Sequence, residues 1–310
     1  MATFKVSSLF SVQGQVCVIT GGGSGLGEAM ALALAENGAS KVFILGRRQA
    51  SLEKVAGKAN TLMPSCLIQK AKGTIIPIVC DIMSKDALTA AASKVASQTP
   101  FINVLIGNSG MTGPVTSTGA VNGPRGHPDL ATYQNTLWST SNTEMNATAD
   151  LILVSSFYTF LAFVNLLGAG NKHPDSVGSK GYMQSQFISV TSVAAMSRTE
   201  NVSHIYASSK AALSHLTKMI ATTFAPYGIR ANSIAPGLFI TEMTEGLVGN
   251  NNDLSIAGSM PKEHFPATRA GAPEDIAGAA LYLVSRAGGF VDGTVLVVDG
   301  GMLSQTPGSN

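Results

Sequence analysis

Val16-Cys-Val-Ile-Thr20 runs directly into Gly21-Gly-Gly-Ser-Gly-Leu-Gly27, and the reading of this stretch decides the fold. The β-branched run predicts a strand, and an Ala- and Leu-rich helical pattern follows from about residue 25 to 37, so the glycines lie on a strand-to-helix turn. In that context Gly21 permits the tight turn, Gly25 lets the backbone approach a dinucleotide pyrophosphate, and Gly27 allows close helix packing. The N–H groups at the helix start, around Ser24 and Leu26, meet the phosphate charge. Ser24, Gly25, Leu26, Gly21 and Gly27 are therefore the first candidate cofactor-binding residues.

Outward from this turn the chain alternates short apolar runs with helical segments. Strands are predicted over 15–19, 41–45, 75–80, 104–106, 186–190, 230–234 and 295–298, and helices over 25–37, 49–59, 85–97, 205–224 and 273–285. This rhythm predicts an α/β fold of one Rossmann-like domain spanning 1–310: a doubly wound, seven-stranded parallel sheet with helices on both faces. The cofactor half covers about 12–110 and the catalytic and substrate half about 143–303. Residues 111–142 and 168–185, rich in Gly, Ser and Asn, read as insertions on the surface. Residues 238–268 follow a strand end and read as a lid over the substrate, since open α/β sheets bind ligands beyond the carboxyl ends of their strands.

The composition narrows the function. With 45% hydrophobic and 12% charged positions the chain can bury a large core, while a net charge of +2 with scattered Lys and Arg gives no electrostatic case for nucleic acid. Cys17, Cys66 and Cys80 lack metal-ligand spacing, which gives no metal site; Cys17 and Cys80, in apolar strand-like runs, read as buried thiols, and a reducing cytoplasm fits. No signal-peptide pattern opens the chain. The most apolar stretch, 151–167, is broken by Ser155, Ser156, Thr159 and Asn165 and reads as a core or interface helix rather than a membrane span, which needs ~20 apolar residues.

The end of the second predicted strand selects the cofactor. An acidic residue there accepts hydrogen bonds from the ribose 2′-OH of NAD(H); this chain instead has Arg47 and Arg48, whose guanidinium groups can clamp a 2′-phosphate. The expected cofactor is NADP(H), the bland alternative being that both arginines are solvated helix-start residues. Asp81 either accepts from the adenine amino group or caps the following turn. A second motif, Tyr206-Ala-Ser-Ser-Lys210, places a phenol and an ammonium on one helix face. An ammonium beside a phenol favours the phenolate, which predicts a tyrosine pKa below its ordinary value of ~10.

Taken together, Thr20-Gly-x-x-x-Gly-x-Gly27, Asn108-Ser109-Gly110, Ser192, Tyr206-x-x-x-Lys210, Arg230-x-Asn232, Pro236-Gly237 leading to Thr241, and Asp299-Gly-Gly301 resemble the classical short-chain dehydrogenase/reductase family over nearly the whole chain. The flavour is similar to fungal reductases of the 3-oxoacyl-carrier-protein type employed in secondary metabolism. The resemblance implies that Tyr206 is the proton donor and that Ser192 stabilises the carbonyl oxygen. It further implies that Lys210 tunes the tyrosine and holds the ribose, and that Asn108, Ser109, Gly110, Pro236, Gly237 and Thr241 contact the cofactor. The implied activity is reduction of a carbonyl on an apolar or polyketide-like small molecule by a cytoplasmic homo-oligomer, a tetramer or dimer.

Three departures stand out. Gly107 replaces the first Asn of the family's Asn-Asn-Ala-Gly, which predicts looser hydrogen bonding there, and Ser24 stands where many NADP-binding relatives carry a basic residue. The family's fourth catalytic residue, an asparagine that anchors a water beside the lysine, falls on Ile152 when the helix is aligned on Phe157-Tyr-Thr-Phe160, and Ile can neither donate nor accept. Asn146 serves only with a shifted helix start and is otherwise a cap or loop amide. The gap motivates an alternative, a repurposed scaffold catalysing a non-redox dehydration, isomerisation or cyclisation. His204 either lines the substrate mouth or sits at a helix start, while His215 has no catalytic partner at useful spacing. Met183, Met196, Met243 and Met260 are candidates for an adaptable pocket and Met30 and Met219 for the core, while Arg125 and His127 either reach an acidic substrate or, with Gly and Pro around them, are solvated loop residues.

Overall fold

Most strands are short apolar runs, and β6, Arg-Ala-Asn-Ser-Ile-Ala-Pro, is buried along its whole length despite its polar residues. The computed structural model describes residues 4–62, 73–114, 130–180, 183–199, 202–242, 244, 253–306 and 308. Strands β1 (Val16–Thr20), β2 (Lys41–Gly46), β3 (Thr74–Val79), β4 (Val104–Gly107), β5 (Gln186–Val190), β6 (Arg230–Pro236) and β7 (Val295–Val298) form one seven-stranded sheet in the order β3-β2-β1-β4-β5-β6-β7. All neighbours pair in parallel, with Val18 of β1 level with Phe43 of β2 and Leu105 of β4. Pro77 sits in β3, at the sheet edge, where the missing N–H costs no interior ladder bond.

Helices α1 (Gly25–Glu36), α2 (Gln49–Leu62), α3 (Lys85–Ala96), α4 (Leu130–Trp138), α5 (Asn142–Ala149), α6 (Ser155–Gly170), α7 (His204–Phe224) and α8 (Pro273–Val284) complete the main elements. The two-residue period of β1 sends Cys17 and Ile19 into a core with Met30 and Leu34 of α1 and Ile276 and Leu283 of α8. Val16 and Val18 enter the opposite core, with Val95 of α3 and Phe163 and Leu167 of α6.

A π-helical turn, Asp150–Val154, joins α5 to α6. Among the described residues the resulting Asn142–Gly170 stretch is the one helix long and apolar enough to cross a membrane by length and composition. Here it packs on the sheet: Phe160, Phe163 and Leu167 are fully buried, and the Phe160 ring meets Phe224 of α7 edge-on at 4.8 Å. Helix α7 is also fixed by polar contacts, because Ser189 Oγ of β5 lies 2.8 Å from Thr217 Oγ1 of α7 and 2.8 Å from Ser233 Oγ of β6.

The structure corrects several sequence expectations. The region 111–142 is not wholly irregular, since it contains α4 and the first residue of α5, and α6 runs three residues past 167, to Gly170, before a 3₁₀ turn at Val177–Lys180. Met30 is buried as expected, but Met219 is exposed because α7 turns Leu213, Thr217 and Ile220 toward the sheet instead. Cys17 and Cys80 are buried free thiols, the former pushed up to about 12 by burial. Cys66, Arg125, His127 and Met243 lie outside the described residues.

Close backbone packing dictates one glycine in this framework. A Cβ on Gly170 would stand 2.1 Å from the Ile102 carbonyl oxygen, whereas one on Gly168, in the same helix, would meet nothing within 4 Å. Gly170→Ala is therefore expected to destabilise by about 1–3 kcal/mol. Gly168→Ala should be neutral or stabilise by up to ~1 kcal/mol. Urea unfolding of the two variants checks the pair.

Candidate active site

The winding direction of the sheet reverses between β1 and β4, and a crevice opens beyond their carboxyl ends. Thr20 and Asn108 tie the two strand ends together. Thr20 Oγ1 accepts from the Asn108 and Ser109 N–H groups at 3.0 and 3.1 Å, while Asn108 Nδ2 donates to the carbonyls of Thr20 (3.1 Å) and Gly21 (3.2 Å). Gly107 lies within β4, where a Cβ would press on the Phe187 ring at 3.1 Å, and the bonds between the two strand ends come from Asn108 instead.

The glycine turn fits a dinucleotide. Gly21 and Gly25 have φ of 65° and 54°, left-handed values that disfavour a side chain. A Cβ on Gly27 would fall 2.2 Å from the Gly21 carbonyl oxygen and 2.6 Å from Asn108 Nδ2, so α1 can start this close to β1 only without one. Beyond the turn, a cleft of about 480 Å³ is lined by every residue read from the sequence as catalytic or cofactor-binding except Gly27, which supports the turn from behind. The N-terminus of α1 points its free N–H groups into this space, and Arg47 and Arg48 stand at the end of β2. These residues fit a nicotinamide dinucleotide carrying a 2′-phosphate, with the α1 turn for the pyrophosphate and the arginines for the phosphate on the ribose.

The structure adds partners for two residues of this wall. Arg48 is not a bare clamp: its Nη2 lies 2.6 Å from Glu242 Oε2 and 3.3 Å from Ser24 Oγ, and the pairing holds the Glu242 carboxyl below its usual range. Asp81 lines the cleft, and its Oδ1 accepts from the Met83 N–H at 3.0 Å, which is the turn-capping role.

Across the cleft, Ser203 caps α7 and so starts the helix just before Tyr206. Four residues later the same helix brings Lys210 onto that face, almost fully buried. Lys210 Nζ donates to the Val190 carbonyl at 2.7 Å and lies 5.7 Å from the Tyr206 ring centroid. Burial pulls its pKa down to about 8. The Ser192 hydroxyl accepts from the Ala194 N–H at 3.1 Å and hydrogen-bonds the Tyr206 phenol. The tyrosine pKa is raised, not lowered as expected, because desolvation by burial outweighs the lowering effect of the Ser192 hydroxyl.

The place of the missing asparagine is also revised. Ile152 is fully buried, and the residue of this helix that lines the cleft is Leu151. Ser155 and Ser156 donate to the carbonyls of Leu151 and Ile152 at 2.5 and 2.7 Å, supporting the π turn. Asn146 is exposed within α5 and does not line the cleft, so it is a surface amide of the helix rather than a cap or loop residue. His204 and His215 are exposed, and neither lines the cleft, nor do Met183, Met196 or Met260; Met111 does. Sequence reasoning also missed Thr191, Phe239 and Glu242 in the lining. Glu242 adjoins Thr241, but only the fold shows that it faces an arginine 194 positions earlier.

Comparison with known proteins agrees with this geometry. Residues 171–303 match the family model described as enoyl-(acyl carrier protein) reductase, and residues 15–116 match that of the KR domain. The short-chain dehydrogenase/reductase PhomF of Diaporthe leptostromiformis is 38% identical over 98% of this chain and 96% of its own. Among solved structures, the RhlG/NADP active-site complex of Pseudomonas aeruginosa is similar with a TM-score of 0.74 at 25% identity, covering 95% of this chain and 98% of that one. A 7α-hydroxysteroid dehydrogenase complexed with NADH and 7-oxo glycochenodeoxycholic acid has a TM-score of 0.73 at 26% identity, covering 97% and 98%. The chain belongs to the short-chain dehydrogenase/reductase family, and is an oxidoreductase acting between hydroxyl and carbonyl groups.

The burial of Lys210 carries a thermodynamic signature. Its folded pKa lies below its unfolded value of 10.5, so the unfolded chain binds more protons between pH 8 and 10.5, and this residue's contribution to stability rises with pH across that window. The full excursion is on the order of 3 kcal/mol. Cys17 acts in the opposite sense from pH 9 upward, because its thiol is harder to ionise when folded. Denaturation of the wild type and Lys210→Met as a function of pH isolates the lysine: the wild type should gain stability relative to the variant from pH 8 to 10.5.

Proposed function

We propose that this enzyme is an NADP(H)-dependent carbonyl reductase whose substrate is an apolar or polyketide-like small-molecule ketone, with a place in secondary metabolism. The observation that carries the reading is the convergence, in one cleft, of the glycine turn with Arg47 and Arg48 on one wall and Ser192, Tyr206 and Lys210 on the other. The cofactor supplies the hydride. Gly25 and Leu26 at the start of α1 bind the pyrophosphate, and Asn108, Ser109 and Gly110 border the adenosine side. Pro236, Gly237 and Thr241 border the nicotinamide.

Tyr206 gives its phenolic proton to the carbonyl oxygen. Its raised pKa supports the reductive direction, because burial keeps the phenol in the protonated form that a donor needs. Ser192, oriented by the Ala194 N–H, turns its hydroxyl hydrogen from the phenol to the same carbonyl oxygen and stabilises the charge that develops on it. Lys210, mostly protonated at neutral pH, places a positive charge beside the ring and holds the ribose hydroxyls. An apolar substrate suits Leu151, Met111 and Phe239 in the lining. Leu151, which lines the cleft where Ile152 does not, can no more hold a water by hydrogen bonds than isoleucine can, so the asparagine has no counterpart there; the hydride reading is preferred to the non-redox one on family membership.

A homo-oligomer is supported by Val154, Phe157 and Leu161, which are exposed on one face of the α6 helix and its π turn. A second copy of the chain would cover them, and Leu161→Arg should reduce the mass measured by light scattering.

Tyr206→Phe tests the chemistry. Ketone-dependent NADPH oxidation should fall by about 10²–10⁴-fold. The NADPH dissociation constant, read by cofactor fluorescence, should change little. Undiminished turnover would remove Tyr206 from the proton-donor role.

A further inference from the structure

The segment after β6 crosses from the catalytic half of the molecule to the cofactor half. Thr244 Oγ1 accepts from the Thr241 N–H at 2.9 Å and donates to the Phe239 carbonyl at 2.6 Å, fixing a tight turn between them. The turn rests on the glycine loop: a Cβ on Gly25 would meet Thr241 Cγ2 at 3.1 Å. One residue on, the Glu242 carboxylate reaches Arg48 at 2.6 Å, and the two side chains remain 62% and 59% exposed. Glu242, Arg48, Arg47, Ser24 and Ser51 all line the same end of the chain's cofactor wall.

We infer that Glu242 is a specificity-determining residue that occupies Arg48 as an internal stand-in for the cofactor's 2′-phosphate. The inference rests on the NADP(H) reading above and deepens it. A phosphate monoester carries close to two negative charges and three acceptor oxygens, so it can take the guanidinium from a single carboxylate. A ribose 2′-hydroxyl cannot. NADP(H) therefore releases the Glu242 strap from Arg48 and NAD(H) leaves it pinned. Because the carboxylate competes for the same arginine, it also lowers the affinity for the phosphate it admits. The pair is solvent-exposed, so the competition is modest and weakens with salt.

The probes are adenosine 2′,5′-bisphosphate and 5′-AMP, titrated calorimetrically against the full chain, with NADPH and NADH beside them. Glu242→Gln should tighten the bisphosphate and NADPH by about three- to tenfold at low ionic strength, leave 5′-AMP and NADH within about twofold, and lose most of the gain in 0.5 M salt. In an Arg48→Ala background the Glu242→Gln effect should vanish, as coupling through one shared arginine requires. No gain for the bisphosphate, a loss, or an equal gain for 5′-AMP overturns the inference. The two readings fail separately. If Arg48→Ala leaves the ratio of bisphosphate to 5′-AMP affinity unchanged, the phosphate-clamp reading of Arg48 falls; if it lowers that ratio but Glu242→Gln does nothing, only the role of Glu242 falls. Circular dichroism of each variant verifies folding, which an exposed pair should not disturb.

Discussion

Four hydrogen bonds between the ends of β1 and β4 are the constraint on which the rest of the site depends. At a strand switch the chain leaves the sheet in opposite directions on either side, and the β1–β4 ladder ends at Ile19 and Ile106, short of the residues that border the crevice. Thr20 and Asn108 tie the chain ends beyond it by exchanging side-chain and main-chain groups. The Asn108 amide in turn occupies the space a Cβ on Gly27 would claim. The width of the crevice, the start of α1 and the position of the Asn108-Ser109-Gly110 strand exit are thus one packing problem with one solution.

The two walls of the cleft are built on different principles. The cofactor wall is main chain, with glycine turns and a helix N-terminus presenting N–H groups, and its charged side chains stand at the rim. The opposite wall is side chain, with a phenol, a hydroxyl and an ammonium held by burial and by bonds to Val190 and Ala194. Exposed arginines at the rim can exchange partners at small cost. Lys210, nearly excluded from water, cannot; its depressed pKa is the measure of how costly its position is.

Much of this was legible in the sequence because it follows from local rules. Apolar runs fixed the strands, the Gly21 to Gly27 spacing implied a strand-to-helix turn, and Tyr206 and Lys210 at helical spacing had to share a face. What was not legible depended on deviation from those rules or on distance along the chain. Ile152 was matched to the family's asparagine by aligning the helix on Phe157-Tyr-Thr-Phe160, but this part of the helix is a π turn, Asp150–Val154, and Leu151 is its residue in the cleft lining. Helix α4 buries none of its residues and so shows no apolar stripe to find amid glycine and proline. The effect of Lys210 on Tyr206 was inferred from charge alone, whereas burial, a tertiary quantity, decides the direction of the tyrosine shift. The Arg48–Glu242 pair has no local signature at all.

The hydroxyls of Ser189, Thr217 and Ser233 form a short buried chain from β5 to both α7 and β6. Apolar side chains tolerate a helix sliding along a sheet by a fraction of an ångström, because dispersion contacts vary gently with position. Directional hydroxyl contacts do not. Thr217 lies two helical turns beyond Lys210 on the same face, so this chain acts as an index mark. It sets the axial position of the helix that carries the proton donor against the strand that leads to Ser192, and does so from the interior, where no substrate or solvent reaches it.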